Sequence, residues 1–241
     1  MNMILQSLRQ SFEALLRFRM FLLIFLLPVV AVVGLFLLFV IYWQEWSAGL
    51  TALFAGMSVV QWIESWSGLQ ELSLWFSMAF LILVFIPLVY LTSVLLISVL
   101  VMPLVVKWVG DSDFKYLEKK RGGSFLGSLW NTLVGTVVFV VVFIATLPLW
   151  LVPGFQIGLP LLLTSWLNKK VFLYDVLQDF ATQEERVCIA KAQSLPLYGM
   201  GCLLGFLSYI PLAFFFVPVL SALSYTYFGL NALAALRKGE S

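Results

Sequence analysis

The chain has 241 residues, of which 62% are hydrophobic and 11% charged, with a formal net charge of +2 and a mean hydropathy of +1.04. A soluble domain needs roughly a quarter of its residues charged to solvate its surface, so most of this surface must face lipid. The small net charge argues against nucleic acid as a partner, and the absence of histidine excludes Ser-His-Asp and Cys-His catalysis.

Residues 1–19 predict an amphipathic helix that lies on the cytoplasmic surface. Ile4, Leu8 and Phe12 fall on one face of such a helix, while the charged residues are kept off it. The uncharged stretch 20–44 follows. Because about 20 apolar residues cross the hydrocarbon core, this stretch predicts one transmembrane helix.

The next polar segment, 45–71, lacks Lys and Arg entirely, so the positive-inside rule places it alone on the outer side. Its weakly amphipathic run Leu50–Ile63 predicts one short interfacial helix. The uncharged stretch 72–106 predicts a second crossing, with Pro87 available as a kink. Tryptophans typical of the water–lipid boundary surround the outer segment: Trp46, Trp62, Trp66 and Trp75.

The basic residues of the later polar segments predict which side of the membrane each segment faces. Segments 107–121 and 169–191 contain basic residues and are predicted to face the cytoplasm, as are both termini. The uncharged stretches 122–168 and 192–236 must then leave and re-enter the same side, and each is more than twice the length of one crossing. Both are therefore predicted to be hairpins.

The fold class predicted is an all-α integral membrane protein with two long transmembrane helices, two proline-broken hairpins and short amphipathic interfacial helices. Both hairpins contain the pattern [Val/Ile]-Pro-x6-Pro-[Leu/Val]-Leu, at 152–162 and 210–220. Proline interrupts helices, and some of the resulting arms look too short to cross. The tips either line a polar pathway or form tight turns at the outer surface. Their candidate residues are Pro153, Gly154, Gln156, Gly158, Pro160, Pro211 and Pro218.

Three blocks of residues occur in an order and spacing that resemble a known family. The blocks are Met102-Pro103-Leu104 with Asp113, Leu117 and Glu118; Val152-Pro153-Gly154-Phe155 with Gln156, Pro160 and Tyr174-Asp175; and Ser208-Tyr209-Ile210-Pro211 with Val217-Pro218. They resemble the CysZ-type sulfate permeases, within the etoposide-induced-protein family of membrane domains. The resemblance covers roughly 90–236 and is weaker over 1–89.

This resemblance implies partly penetrating hairpins, homo-oligomerisation, and passage of sulfate across the bacterial inner membrane for cysteine synthesis. The family also has adjacent arginines beside a glycine before its first long helix, which look like a sulfate-binding loop. Here Arg17 and Arg19 are separated and no glycine precedes them. Their alternative roles are to pair with an oxyanion or to extend to lipid phosphate and set orientation.

Other polar residues suggest contacts with an anion or between helices. Lys119, Lys120 and Arg121 precede Gly122, Gly123 and Ser124, a combination that can either hold an anion on the cytoplasmic side or stop one helix and cap the next. Gln156 and Asn168 are amides within apolar runs, and each suits a helix-to-helix hydrogen bond or a ligand contact.

Carboxylates are missing from the middle of every apolar stretch, which favours a passive channel over a proton-coupled pump, although Glu13, Glu45 or Glu71 could respond to pH. The leading hypothesis is a permease for a small inorganic oxyanion, sulfate foremost. The alternative is a non-transporting scaffold whose hairpins shape the membrane.

An enzyme is the least favoured class, since Asp111 and Asp113 are the main carboxylate pair and suit a solvated loop. No metal or cofactor is predicted. Cys188 and Cys202 have no CxxC spacing and are interpreted as unpaired.

Overall fold

The computed structural model describes residues 2–17, 21–69, 71–210 and 217–239. Within these ranges the regular secondary structure is helical. The first helices are α1 (Asn2–Arg17), α2 (Phe21–Ile41), α3 (Trp43–Ala55), α4 (Ser58–Ser67), α5 (Leu72–Leu96) and α6 (Met102–Ser112). The later ones are α7 (Phe125–Thr146), α8 (Phe155–Phe180), α9 (Gln183–Ala192), α10 (Ser194–Leu207) and α11 (Val217–Lys238).

Three helical runs are long and apolar enough to cross a membrane, which confirms the predicted fold class of an all-α membrane protein. These runs are Leu72–Ser112, Phe125–Trp150 and Val219–Lys238. Two bent pairs raise the number of candidate spans to five among the described residues: Val29–Ile41 with Trp43–Ala55, bent by 58°, and Gln183–Ala192 with Ser194–Leu207, bent by 70°. We treat α9 as a surface helix, because its charges would be costly in hydrocarbon.

Residues 27–93 form one of two compact units. Within this unit Phe39 stacks on Phe85 with ring centroids 3.9 Å apart, and the hydroxyls of Thr51 and Ser77 lie 2.8 Å apart. An aromatic stack and a hydroxyl pair therefore join helices whose remaining surface is largely exposed and apolar.

The predicted interfacial helix Leu50–Ile63 is two helices. α3 ends at Ala55, and α4 begins at Ser58 after Met57 adopts an extended conformation. α4 then ends at Ser67, and the residue that caps it is Gly68, whose φ of 67° favours glycine. The sequence pattern ran through the break because its apolar spacing continues on both sides.

The long helical run that begins with α5 contains a π-helical turn, Ile97–Val101, before α6 continues to Ser112. Pro103, which has no N–H to donate, is the second residue of α6 and lies just after this turn. The predicted cytoplasmic loop 107–121 therefore starts as helix, since the first basic residue of a segment does not end a helix.

The second unit comprises residues 1–26 and 94–241, and α8 and α11 form its centre. α8 packs against α7, α10 and α11, while α11 also packs against α1. Fully buried aromatic side chains fill this core, including Phe172, Tyr225 and Phe228.

The first hairpin pattern contains two prolines, Pro153 and Pro160, but only Pro153 lies at a break in the helix. After α7, a short 3₁₀ turn, Leu147–Leu151, leads to Gly154 at φ 93°, and α8 begins at the next residue. Pro160 lies inside α8, so it costs one backbone hydrogen bond without ending the helix. α8 has 26 residues and runs past the predicted boundary at 168, so this arm is not short.

The second hairpin has α10 and α11 as its arms, and residues 211–216 between them lie outside the described residues. α10 packs closely on α8 at two glycines one turn apart. A Cβ at Gly201 would lie 2.8 Å from Ser165 Cβ, and one at Gly205 would lie 2.6 Å from Leu161 Cδ1. Glycine at these positions allows the two helices to approach.

Candidate functional site

The predicted anion-binding loop wraps around the carboxyl end of α8. The N–H of Gly122 donates to Ala181 O at 2.9 Å, and that of Gly123 donates to Gln178 O at 3.0 Å. The N–H of Arg121 likewise donates to Asp179 O at 3.0 Å. The last carbonyls of a helix have no partner within it, so the loop satisfies them and its own N–H groups are occupied.

Side chains in the same loop are also partly engaged. Ser124 accepts a hydrogen bond from Gly127 N at 3.0 Å and so caps α7, as its position predicted. Lys119 pairs with Asp111 at 3.1 Å, and Lys120 pairs with Glu185 at 3.3 Å. An oxyanion would therefore meet lysine and arginine side chains here, not a ring of backbone donors.

Glu185 is the centre of an ion-pair network beside this loop. It accepts hydrogen bonds from Arg237 Nε at 3.0 Å and Arg237 Nη2 at 3.1 Å, while its carboxylate and Thr182 complete the capping box of α9. Hydrogen bonds from Arg237 are the main reason that the pKa of Glu185 falls to about 2. Arg237 Nη1 donates to Glu118 O, and Nη2 also donates to Phe180 O, so one arginine connects the end of α11 to the loop and to α8.

A buried carboxylate lies where three helices meet. Asp175 on α8 is 2% exposed, and it accepts hydrogen bonds from Ser98 Oγ at 2.6 Å and from Ser128 Oγ. Ser98 belongs to the π-helical turn and Ser128 to α7, and the hydroxyl of Thr132 lies 3.4 Å from that of Ser98. Three hydroxyls and one carboxylate therefore form a polar cluster inside an apolar bundle.

Among the described residues, no ion pair neutralises the carboxylate of this cluster. Burial raises the pKa of Asp175 to about 6, and the hydrogen bonds from Ser128 and Ser98 oppose part of that shift. α8 is not one of the three candidate spans, and Asp175 lies in its carboxyl-terminal half. Burial, and not a neighbouring charge, is therefore the main cause of the raised pKa of Asp175.

A half-buried ammonium group lies on a different side of α8, facing α10. Lys169 Nζ is 2.6 Å from Ser194 Oγ and 4.7 Å from the centroid of the Tyr198 ring. Burial lowers the pKa of Lys169, because the charged form has lost part of its hydration. Its neighbour Lys170 instead lies over the Trp166 ring at 5.2 Å.

The predicted tip residues of the first hairpin lie at the surface of the single chain. Pro153, Gly154 and Gln156 are exposed, while Gly158 and Pro160 are half-buried. They line no enclosed cavity among the described residues, so their role in a pathway stays a prediction.

Several predicted residues fall outside what the structure describes. Arg19 and Pro211 lie outside the described residues. Arg17 ends α1 and Pro218 is the second residue of α11, but their side chains also lie outside that description. A site at Arg17 and Arg19 therefore remains a prediction.

The other polar candidates have structural partners. Asp113 accepts a hydrogen bond from Tyr227 Oη at 2.6 Å, and Glu13 pairs with Arg9 at 2.9 Å. Asn168 is buried on α8. Cys188 and Cys202 are free thiols, as expected.

Sequence reasoning did not identify Lys169 or Asp175 as site residues. Both were assigned to a cytoplasmic polar segment, because the stretch containing them begins where charges reappear. One signal was available: Tyr174-Asp175 already stood among the blocks that carried the family resemblance.

Comparison with known protein families identifies a match over most of the chain. The family model described as Sulfate transporter CysZ/Etoposide-induced protein 2.4 matches residues 7–218, which is most of the chain. No curated protein and no solved structure matches the chain. Together with the helical spans, this match confirms the resemblance, and the chain is a multi-pass membrane protein that belongs to the sulfate transporter CysZ/etoposide-induced protein 2.4 family.

Proposed function

We propose that this protein is an inner-membrane permease that admits sulfate, or a closely related inorganic oxyanion, for sulfur assimilation and cysteine synthesis. The observation that carries the proposal is the family match over residues 7–218, since that family is named for a sulfate transporter. The family is a transporter and membrane family, not an enzyme family.

The charges within the helical bundle favour one side of α8 for the anion. Sulfate is stabilised by ammonium groups and hydroxyl donors and repelled by carboxylates. Lys169 and Ser194 provide an ammonium and a hydroxyl between α8 and α10, whereas Asp175 faces α7 and the π-helical turn. We therefore place the oxyanion path along the α8–α10 side, with Arg17, Arg19 and Arg121 as candidate first contacts.

The positive-inside rule supports an orientation in which both termini and the loop Lys119–Ser124 face the cytoplasm. Exposed apolar side chains on α7, including Val137 and Val141, suit lipid or a second copy of the chain. A homo-oligomer, which the family resemblance implies, is part of the proposal.

Two adjacent lysines allow a matched experiment in cells. A bacterial strain that lacks its own sulfate uptake would receive the wild-type gene, Lys169→Gln or Lys170→Gln, with sulfate as the sole sulfur source. Wild type and Lys170→Gln are expected to restore growth, while Lys169→Gln is expected to slow sulfate entry about tenfold, as for one lost charge-assisted contact.

Growth on cysteine serves as the control for general fitness, and immunoblotting of membranes as the control for expression. Failure of the wild type to support growth on sulfate would contradict the permease. Equal growth with both lysine variants would contradict the α8–α10 path but not the permease itself. Vesicle deformation without sulfate entry would favour the scaffold alternative.

A further inference from the structure

Asp175 is a feature that anion passage does not explain. A carboxylate buried to 2% exposure is costly unless it is paired with a cation or neutralised by a proton. Its partners are the hydroxyls of Ser98 and Ser128, and both are neutral. Two hydroxyl donors therefore stabilise the ionised form without cancelling its charge.

The titratable groups on the elements around α8 are engaged elsewhere or exposed. α7 carries no charged residue at all. The remaining groups with partners are Lys169 with Ser194 and Tyr198, Lys170 with Trp166, Tyr174 with Arg186, Cys202 with Ser165, Tyr225 with Leu197 O, Tyr227 with Asp113 and Arg237 with Glu185. The exposed groups are Lys107, Asp111, Asp179, Glu184, Cys188, Lys191 and Lys238. No charged group is among the causes of the shifted pKa of Asp175, so its environment is set by burial and two serines.

We propose that the carboxyl group of Asp175 is a proton-binding site, and that its protonation reverses the hydrogen bond between Asp175 and Ser98 at the π-helical turn. In the ionised state Ser98 Oγ and Ser128 Oγ both donate to the carboxylate. On protonation a new O–H bond forms at Oδ2, and this O–H donates to Ser98 Oγ.

Thr132 makes the reversal possible. Its hydroxyl lies 3.4 Å from Ser98 Oγ, so Ser98 can turn its own proton toward Thr132 when it accepts from Asp175. Both protonation states then keep every hydroxyl bonded, which is what a reversible site inside an apolar bundle requires. Ser98 belongs to the π-helical turn, so the reversal changes a hydrogen bond at the irregular turn of the helical run Leu72–Ser112.

The site is tested on the purified full-length protein in lipid nanodiscs by infrared difference spectroscopy. The C=O stretch of a protonated carboxylic acid is followed as pH rises from below 3.8 through about 6. The wild type is expected to lose one such band with a midpoint near 6, and Asp175→Asn is expected to lack it. Asp179→Asn, which alters an exposed carboxylate one turn further along α8, is the matched control and should retain the band.

Ser128→Ala tests the geometry with Asp175 intact. It removes one donor to the ionised form, so the midpoint should rise by about one pH unit. A band that persists in Asp175→Asn, a midpoint at the ordinary aspartate value, or an unchanged midpoint in Ser128→Ala would each overturn the proposal. These readouts do not depend on sulfate transport, so they stand or fall separately from the proposed function.

Discussion

Replacing Glu185 with glutamine should remove the ion-pair network that Glu185 forms with Arg237 and Lys120. Its carboxylate accepts two hydrogen bonds from Arg237 and one from Thr182 N, and its side chain is only 16% exposed. The pKa of Glu185 is lowered from 4.5 to about 2, mainly by Arg237. At 1.36 kcal/mol for each pH unit, this shift corresponds to about 3 kcal/mol of folding free energy.

The pH dependence has a definite sign. A carboxyl group whose pKa is lower in the folded state stabilises the fold above its unfolded value of 4.5 and loses that effect as pH falls toward 2. The difference in unfolding free energy between wild type and Glu185→Gln should therefore be about 3 kcal/mol at neutral pH, begin to shrink below 4.5 and vanish near 2.

The assay is chemical unfolding in detergent micelles over this pH range, followed by circular dichroism. Glu184→Gln is the matched control, because Glu184 is exposed in the same first turn of α9 and contributes at most a few tenths of a kcal/mol through the helix dipole. A Glu185→Gln cost that is constant with pH, or no larger than that of Glu184→Gln, would refute the reasoning.

Three further predictions concern other parts of the chain. Asp175→Asn should show the opposite pH dependence in the same unfolding assay. In the wild type the raised pKa of Asp175 favours the folded state fully below pH 3.8, and this contribution is lost as pH rises through about 6. The unfolding free energy of Asp175→Asn should therefore rise by about 3 kcal/mol relative to that of the wild type across this interval. Gly201→Ala should lower the unfolding free energy by about 1–3 kcal/mol, because the added Cβ overpacks against Ser165. Gly199→Ala, whose Cβ would meet its nearest neighbour at 3.8 Å, should leave stability unchanged or raise it, and thermal denaturation of both variants measures the difference. Cys188, an exposed thiol, should resist an impermeant thiol reagent in intact cells and react in inverted vesicles, and labelling in intact cells would contradict the predicted topology.

Hydropathy and charge predicted the membrane class and the approximate limits of the apolar segments, because transfer of charge into hydrocarbon is costly at every position. They did not predict the length of α8. That helix passes through Lys169 and Lys170 to Phe180, since packing against α7, α10 and α11 stabilises it beyond the point where its sequence turns polar. The helix therefore continues past the point where charges reappear, and where it leaves the membrane stays a prediction.

The polar cluster was not predictable for a different reason. Ser98 and Ser128 lie 77 and 47 residues from Asp175 in sequence, and serines in apolar helices carry no pattern that pairs them with a distant carboxylate. Only the fold brings them together. Similarly, the glycines after Lys120 suggested an anion cradle, but the carboxyl end of α8 occupies their N–H groups.

The central claim, that this family member passes sulfate, is tested most directly by the uptake of labelled sulfate into liposomes that contain the purified protein, beside empty liposomes and liposomes with protein unfolded before reconstitution. The account predicts uptake that exceeds both controls, saturates with sulfate concentration and falls with Lys169→Gln but not with Lys170→Gln. Sulfate entry no faster than in empty liposomes, with folded protein present in the membrane, would contradict it.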